Sequence, residues 1–181
     1  PRESETLASV CPGTPMGTPL RRYWHPVAVV DDMRDRWTKR VKILGENLVL
    51  FKDLSGTFGL IGEYCPHRRA SIARGIPTLM GLRCPGHGWE FDGTGRCVAQ
   101  PDEPCFSTFK SKVALPSYPV DKLGGLLWAY LGPVPAPLIP RLDGFIDGPA
   151  IRMCAKATVR CNWLRIMEHA LGPLGIESSL E

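Results

Sequence analysis

Over much of the chain, apolar residues come in short runs closed by glycine turns. Val41 and Ile43 alternate with polar neighbours, as do Leu48 and Leu50 after the turn Gly45-Glu46. Phe58 to Ile61 follows Ser55-Gly56, and Trp89 and Phe91 precede the tight turn Asp92-Gly93-Thr94-Gly95. Gly125 to Leu131 reads as another buried strand. Strands of this length and spacing predict a mainly β protein, a small antiparallel sandwich or barrel. Residues 1–22 read as an arm with one short helix or turn, ending in the polar, Pro-rich CPGTPMGTPL segment. The pattern changes at 133–140, where PVPAPLIP places four Pro in eight positions. That stretch excludes a helix or a central strand and predicts an extended linker. Beyond it, Ile151 to Arg160 reads as one strand. Asn162 to Leu171 reads as a helix, with Trp163, Ile166, Met167 and Ala170 at i, i+3, i+4, i+7 spacing. Asn162 is its N-cap and Gly172-Pro173 its stop. The expected division is an arm at 1–22, a β domain at 23–132, a linker at 133–149 and the start of a second unit at 150–181.

Composition changes this picture little. Gly 19 and Pro 18, with no repeating period, fit a turn-rich β fold. The net charge of +4 is mild, and the pairs Arg21-Arg22 and Lys39-Arg40 read as solvated faces. No basic stripe interleaved with aromatics points to nucleic acid. The longest apolar run is far too short to span a membrane, and the N-terminal residues lack the apolar core of a signal peptide. The seven Cys are odd in number and irregularly spaced. Without an export signal they argue for a reducing compartment, hence a cytoplasmic protein, with some Cys used as ligands.

The chemistry sits in Cys65-Pro66-His67-Arg68 and Cys84-Pro85-Gly86-His87-Gly88-Trp89. Together they give Cys-x-His, sixteen intervening residues, then Cys-x-x-His. Two thiolates suit one iron and two neutral imidazoles the other, each loop supplying one ligand to each iron. Cys65, His67, Cys84 and His87 are therefore the candidate ligands of a Rieske-type [2Fe–2S] cluster. Gly86 and Gly88 would let the second loop's backbone approach the sulfides. Exchanging two Cys for two His removes negative charge and raises the potential by about 250 mV relative to a plant-type ferredoxin cluster. For one electron that is ~6 kcal/mol. The competing reading is a structural zinc site, but zinc motifs usually pair Cys with Cys and His with His within a loop.

The loops CPHRRA and CPGHGWEFD resemble the N-terminal domain of Rieske-type non-haem iron ring-hydroxylating oxygenases. PGTPMG, LRRYWHPVAV, GENLVLFKD, DGTGRCV, YPV, GGLLWAYLGP and CNWLRIME extend the resemblance over most of residues 11–171, within the phthalate-dioxygenase-like branch that includes aromatic O-demethylases. The resemblance implies an oxygenase α subunit: an antiparallel Rieske sandwich, then the first strand and helix of a truncated α+β, helix-grip catalytic domain. It implies a flavin or iron–sulfur reductase, or a ferredoxin, as electron donor. It also implies a trimer-like homo-oligomer, and a mononuclear Fe(II) that activates O2 on an aromatic substrate. Respiratory Rieske proteins add a disulfide between the two loops, and the corresponding positions here are Ala70 and Gly86.

Two departures matter. Relatives usually place a bulky aromatic before the second ligand His, where this chain has Gly86. After CNWLRIME the family continues with a bridging Asp and two iron-binding His, where this chain has Gly172, Gly175 and Leu180, or Glu181 with one residue inserted. No catalytic residue is assigned, and His169, alone on its helix, reads as structural or exposed. The chain alone is expected to lack oxygenase activity. A standalone Rieske ferredoxin is the alternative, disfavoured by the YWHPV arm and the CNWLRIME helix. Cys97 and Cys161 read as buried small apolar residues, and Cys11, Cys105 and Cys154 have no assigned role. Trp24 and His25 read as packing and hydrogen-bonding groups.

Overall fold

The computed structural model describes residues 2–141, 143–146 and 153–171. Its elements in chain order are α1 (Arg2–Ala8), α2 (Gly17–Leu20), β1 (Trp24–Val29), β2 (Thr38–Ile43), β3 (Glu46–Lys52), β4 (Phe58–Gly62), β5 (Ile76–Pro77), β6 (Leu82–Arg83), β7 (Glu90–Phe91), β8 (Cys97–Ala99), β9 (Ser117–Tyr118), β10 (Val120–Leu123), β11 (Leu126–Tyr130), α3 (Asp143–Ile146) and α4 (Trp163–Leu171). All strand pairs are antiparallel. They form three sheets in the orders β1-β11-β10, β2-β3-β4-β9 and β5-β6-β7-β8.

The middle sheet organises the other two. On β3, Leu48 and Leu50 pack with Leu60, Leu127 and Ala129 toward the β1-β11-β10 sheet. Val49 and Phe51 point the other way, into a core with Ile61, Ile72, Leu82, Phe91 and both loop cysteines. The expected alternation of apolar and polar residues at Leu48 and Leu50 is therefore not what β3 shows. Val49 is 0% exposed, and the run LVLF is buried on both faces because a sheet covers each side. The β2–β3 turn falls on Leu44 and Gly45 rather than on Gly45-Glu46. Both have positive φ, 45° and 80°, as a two-residue hairpin turn demands.

The arm holds two short helices instead of one. Arg21 ties it to the β2–β3 hairpin through an ion pair with Glu46 and a donated bond to the Leu44 carbonyl. The Tyr118 hydroxyl also donates to Glu46, at 2.8 Å. Burial first, and then the Glu46 carboxylate, push this phenol up to about 12. Trp24 packs on Tyr130 and donates to the Pro137 carbonyl, while His25 bonds the Leu20 carbonyl. Both are packing and hydrogen-bonding groups, as expected.

Residues 133–140 form neither helix nor strand. Of the strand expected over 151–160, residues 151 and 152 lie outside the described residues, and residues 153–159 are exposed and form no strand, although Cys154 to Lys156 lie beside Val27 to Val29 of the edge strand β1. The helix expected from Asn162 is present as α4, and Asn162 caps it by accepting from the Leu164 N–H at 3.0 Å. Asn162 and Trp163 side chains also donate to the Ala8 carbonyl at the end of α1. Cys97 is buried, but Cys161 is exposed, because the α4 segment lies outside both cores. The helix stop at Gly172-Pro173 falls outside the described residues. No helix is long and apolar enough to cross a membrane among the described residues.

Two-sided burial of β3 has a direct test. Val49→Thr should cost about 1–3 kcal/mol in urea unfolding, because a near-isosteric hydroxyl enters an apolar core. A change within error of zero would place Val49 at a solvated face.

Candidate metal centre

Two loops leave the third sheet and its neighbour at the same end. The first runs from β4 through Cys65 to Ala70, the second from β6 through Cys84 to Trp89, into β7. Their backbones follow one plan. In each, the cysteine N–H donates to the carbonyl five residues on, Cys65 to Ala70 at 2.9 Å and Cys84 to Trp89 at 2.7 Å. In each, the cysteine carbonyl accepts from the N–H four residues on, Arg69 at 2.8 Å and Gly88 at 3.1 Å. A proline follows each cysteine, its φ preset for the turn and its missing N–H not required. The fifth residue of each loop has positive φ, 60° at Arg69 and 73° at Gly88. Glycine adopts this freely, whereas a residue with a side chain is strained by about 1 kcal/mol or more.

The loops bring like donors together. Cys65 and Cys84 are buried, 1% and 3% exposed, with their thiols side by side. Burial is the main cause that pushes the Cys65 thiol up to about 11, and the neighbouring Cys84 adds to it. The imidazoles of His67 and His87 meet edge to face, centroids 4.6 Å apart. His67 is half-buried and stacks on Trp89 at 4.8 Å and 9°, while His87 is exposed. Trp89 is itself backed by Phe109 at 6.2 Å. The four residues picked out by sequence therefore lie together as a thiol pair and an imidazole pair. Among the described residues, no three His, Cys, Asp or Glu side chains are gathered as a single ion would require.

A model of the Rieske [2Fe-2S] domain matches residues 23–119. The chain belongs to the Rieske [2Fe-2S] domain family. It is 46% identical over 178 residues to the 5,5'-dehydrodivanillate O-demethylase oxygenase subunit of Sphingobium sp., covering 97% of this chain and 42% of that protein. It is 38% identical to the phthalate 4,5-dioxygenase oxygenase subunit of Pseudomonas putida, over 94% of this chain and 40% of the relative. Dicamba monooxygenase bound to dicamba has a TM-score of 0.54 at 30% identity, over 63% of this chain and 35% of that one. The chain is thus homologous to oxygenase subunits of aromatic ring-hydroxylating and O-demethylating enzymes, and spans about two fifths of their length.

The Rieske loops are braced by two residues that sequence reading missed. Glu63 and Glu90 are buried carboxylates at 7% and 5% exposure. Glu63 precedes the first loop and accepts from Ser71, just after it, at 2.7 Å, and from Arg40 at 2.9 Å. Glu90 follows the second loop and accepts from Arg83, just before it, through both Nε and a terminal nitrogen. Thr78 donates to its other oxygen at 2.7 Å. Each loop is thus pinned at its base by a carboxylate, a hydroxyl and an arginine. The signal was an acidic residue inside an otherwise apolar strand end, beside each motif. The positions expected for the mononuclear iron site, Gly172, Gly175, Leu180 and Glu181, lie outside the described residues. His169 is exposed on α4.

A Cβ built on Gly86 would lie 3.7 Å from the Ala70 Cβ, within the range that disulfides span. The double variant Ala70→Cys with Gly86→Cys should therefore form an inter-loop disulfide under mild oxidation, read by peptide mass mapping. If both introduced thiols stay free, the loop tips lie farther apart than described.

Proposed function

We propose that this chain accepts single electrons from a reductase or ferredoxin and passes them toward the O2-activating iron of an aromatic ring-hydroxylating or O-demethylating oxygenase. Family membership implies a [2Fe–2S] cluster, and its one-electron redox couple is the chemistry it supplies when bound. In this reading Cys65 and Cys84 hold one iron as thiolates, and His67 and His87 hold the other as neutral imidazoles. The observation that carries the assignment is the sorting of donors by type across two loops, thiol beside thiol and imidazole beside imidazole.

The surrounding residues fit this role. Burial of the two cysteines shields the sulfur end from water. The Trp89 face fixes the plane of the His67 ring, and the exposed His87 leaves one edge open for electron exchange. A structural zinc ion is disfavoured because zinc motifs usually pair Cys with Cys and His with His within a loop, whereas each loop here mixes one Cys with one His. Residues 1–22 serve as the arm, 23–132 as the Rieske domain, 133–149 as the linker and 150–181 as the start of the catalytic unit. The bonds from Asn162 and Trp163 to Ala8 favour an oxygenase subunit over a free carrier, since a carrier needs neither partner.

Metal analysis after anaerobic reconstitution tests the reading. Two iron and two acid-labile sulfide per chain are expected, with reduced-state EPR at the low average g of mixed His/Cys ligation. His67→Ala or His87→Ala should abolish that signal. Zinc with no sulfide, or an all-Cys spectrum, would overturn the proposal.

A further inference from the structure

The first Rieske loop carries a strained cation with no counter-charge. Arg69 occupies the left-handed position at φ 60°, where the matching position of the second loop has Gly88. Local backbone strain of this kind marks functional positions when the side chain has a task. The Arg69 side chain is exposed, and its guanidinium lies over the Tyr64 ring, 5.0 Å from the centroid. It flanks a groove lined also by Glu46, Glu63, Asn47 and Pro116. Both carboxylates of that groove are already neutralised, Glu46 by Arg21 and Tyr118, and Glu63 by Arg40 and Ser71. Among the described residues, neither Arg69 nor the adjacent exposed Arg68 forms an ion pair. The charges beside His67 are thus presented outward and unspent.

Building on the proposed electron-accepting role, we infer that Arg69, with Arg68 and the Tyr64 ring, forms the docking surface for an acidic face of the electron-donating protein. Charge complementarity selects this occupant. A second copy of this chain carries a net charge of +4 and meets the patch with like charge. The exposed acids nearest the second loop, Asp102 and Glu103, follow Pro101, which packs against Gly88, so they belong to the opposite loop. Cations at the rim of a contact act mainly on the encounter rate and are screened by salt. A stacked Arg in a fixed backbone conformation also costs less side-chain ordering on docking than a free one.

The test uses the full chain loaded with its cluster, reduced in a stopped-flow instrument by a plant-type [2Fe–2S] ferredoxin chosen for its acidic surface. Arg69→Gly fits the backbone without strain, so the variant folds. Its second-order rate at low salt should fall about threefold to tenfold, with a shallower salt dependence. Arg69→Lys should retain most of the rate. Reduction by the methyl viologen radical cation should be undiminished in both variants, and the EPR signal and iron and sulfide content unchanged. Ferredoxin rates unaffected by Arg69→Gly, or viologen and ferredoxin rates falling together, would overturn the inference. So would a loss of self-association with normal ferredoxin rates, which would assign the surface to a second copy. Failure of the wild-type chain to load a cluster would instead overturn the proposed function.

Discussion

The hydrogen bond from each loop cysteine to the carbonyl five residues on is the constraint on which the site depends. Closing the loop over that span turns the cysteine side chain down into the core and the histidine outward. Thiols need a dry, fixed setting and imidazoles need reach, and one six-residue turn supplies both. Repeating the same turn across the gap between β4 and the β6–β7 hairpin makes like donors face each other. A loop without that closure would leave two buried backbone groups unpaired, each costing about 1–3 kcal/mol, and would free the donors to diverge.

The sheets serve this arrangement by fixing where the loops begin. β4 is held on one side by β3 and on the other by β9, and it runs directly toward Cys65. β6 and β7 pair with each other, so that Cys84 and Trp89 sit at the ends of adjacent strands. Phe51, Ile61, Ile72, Leu82 and Phe91 fill the space beneath both loops, and Glu63 and Glu90 hold the loop bases through Ser71, Arg40, Thr78 and Arg83. The buried carboxylates are tolerable because each is bonded to an arginine and a hydroxyl rather than left bare.

Much of this was legible in the chain. The spacing of Cys65, His67, Cys84 and His87 marked the candidate site, because few chemistries use one Cys and one His in each of two short loops. The strand end at Phe91 and the cap at Asn162 followed from local rules, whereas the β2–β3 turn lies one residue earlier than Gly45-Glu46, because Leu44 takes a positive φ that its side chain does not advertise. What stayed hidden depended on neighbours distant in sequence. Val49 has the same hydrophobicity whether one face of β3 is covered or two. Residues 153–159 have strand-like composition, but they pass the edge strand β1 without joining its hydrogen-bond ladder, which composition does not reveal. Cys161 sits in an apolar segment whose burial depends on what packs against α4. Glu63 and Glu90 read as surface acids until Ser71, Thr78 and the two arginines are placed around them. The strain at Arg69 needed the backbone itself, since only the comparison with Gly88 shows that the position prefers glycine.

The central claim is that the two cysteines share one iron and the two histidines the other. Mössbauer spectroscopy of the oxidised chain, loaded with isotopically enriched iron, tests it most directly. Sorted ligands make the irons unequal, so the account predicts two quadrupole doublets of equal area and distinct isomer shift, the larger belonging to the imidazole-bound iron. Two irons with the same isomer shift would mean one Cys and one His on each, or sulfur on both, and would contradict the pairing described here.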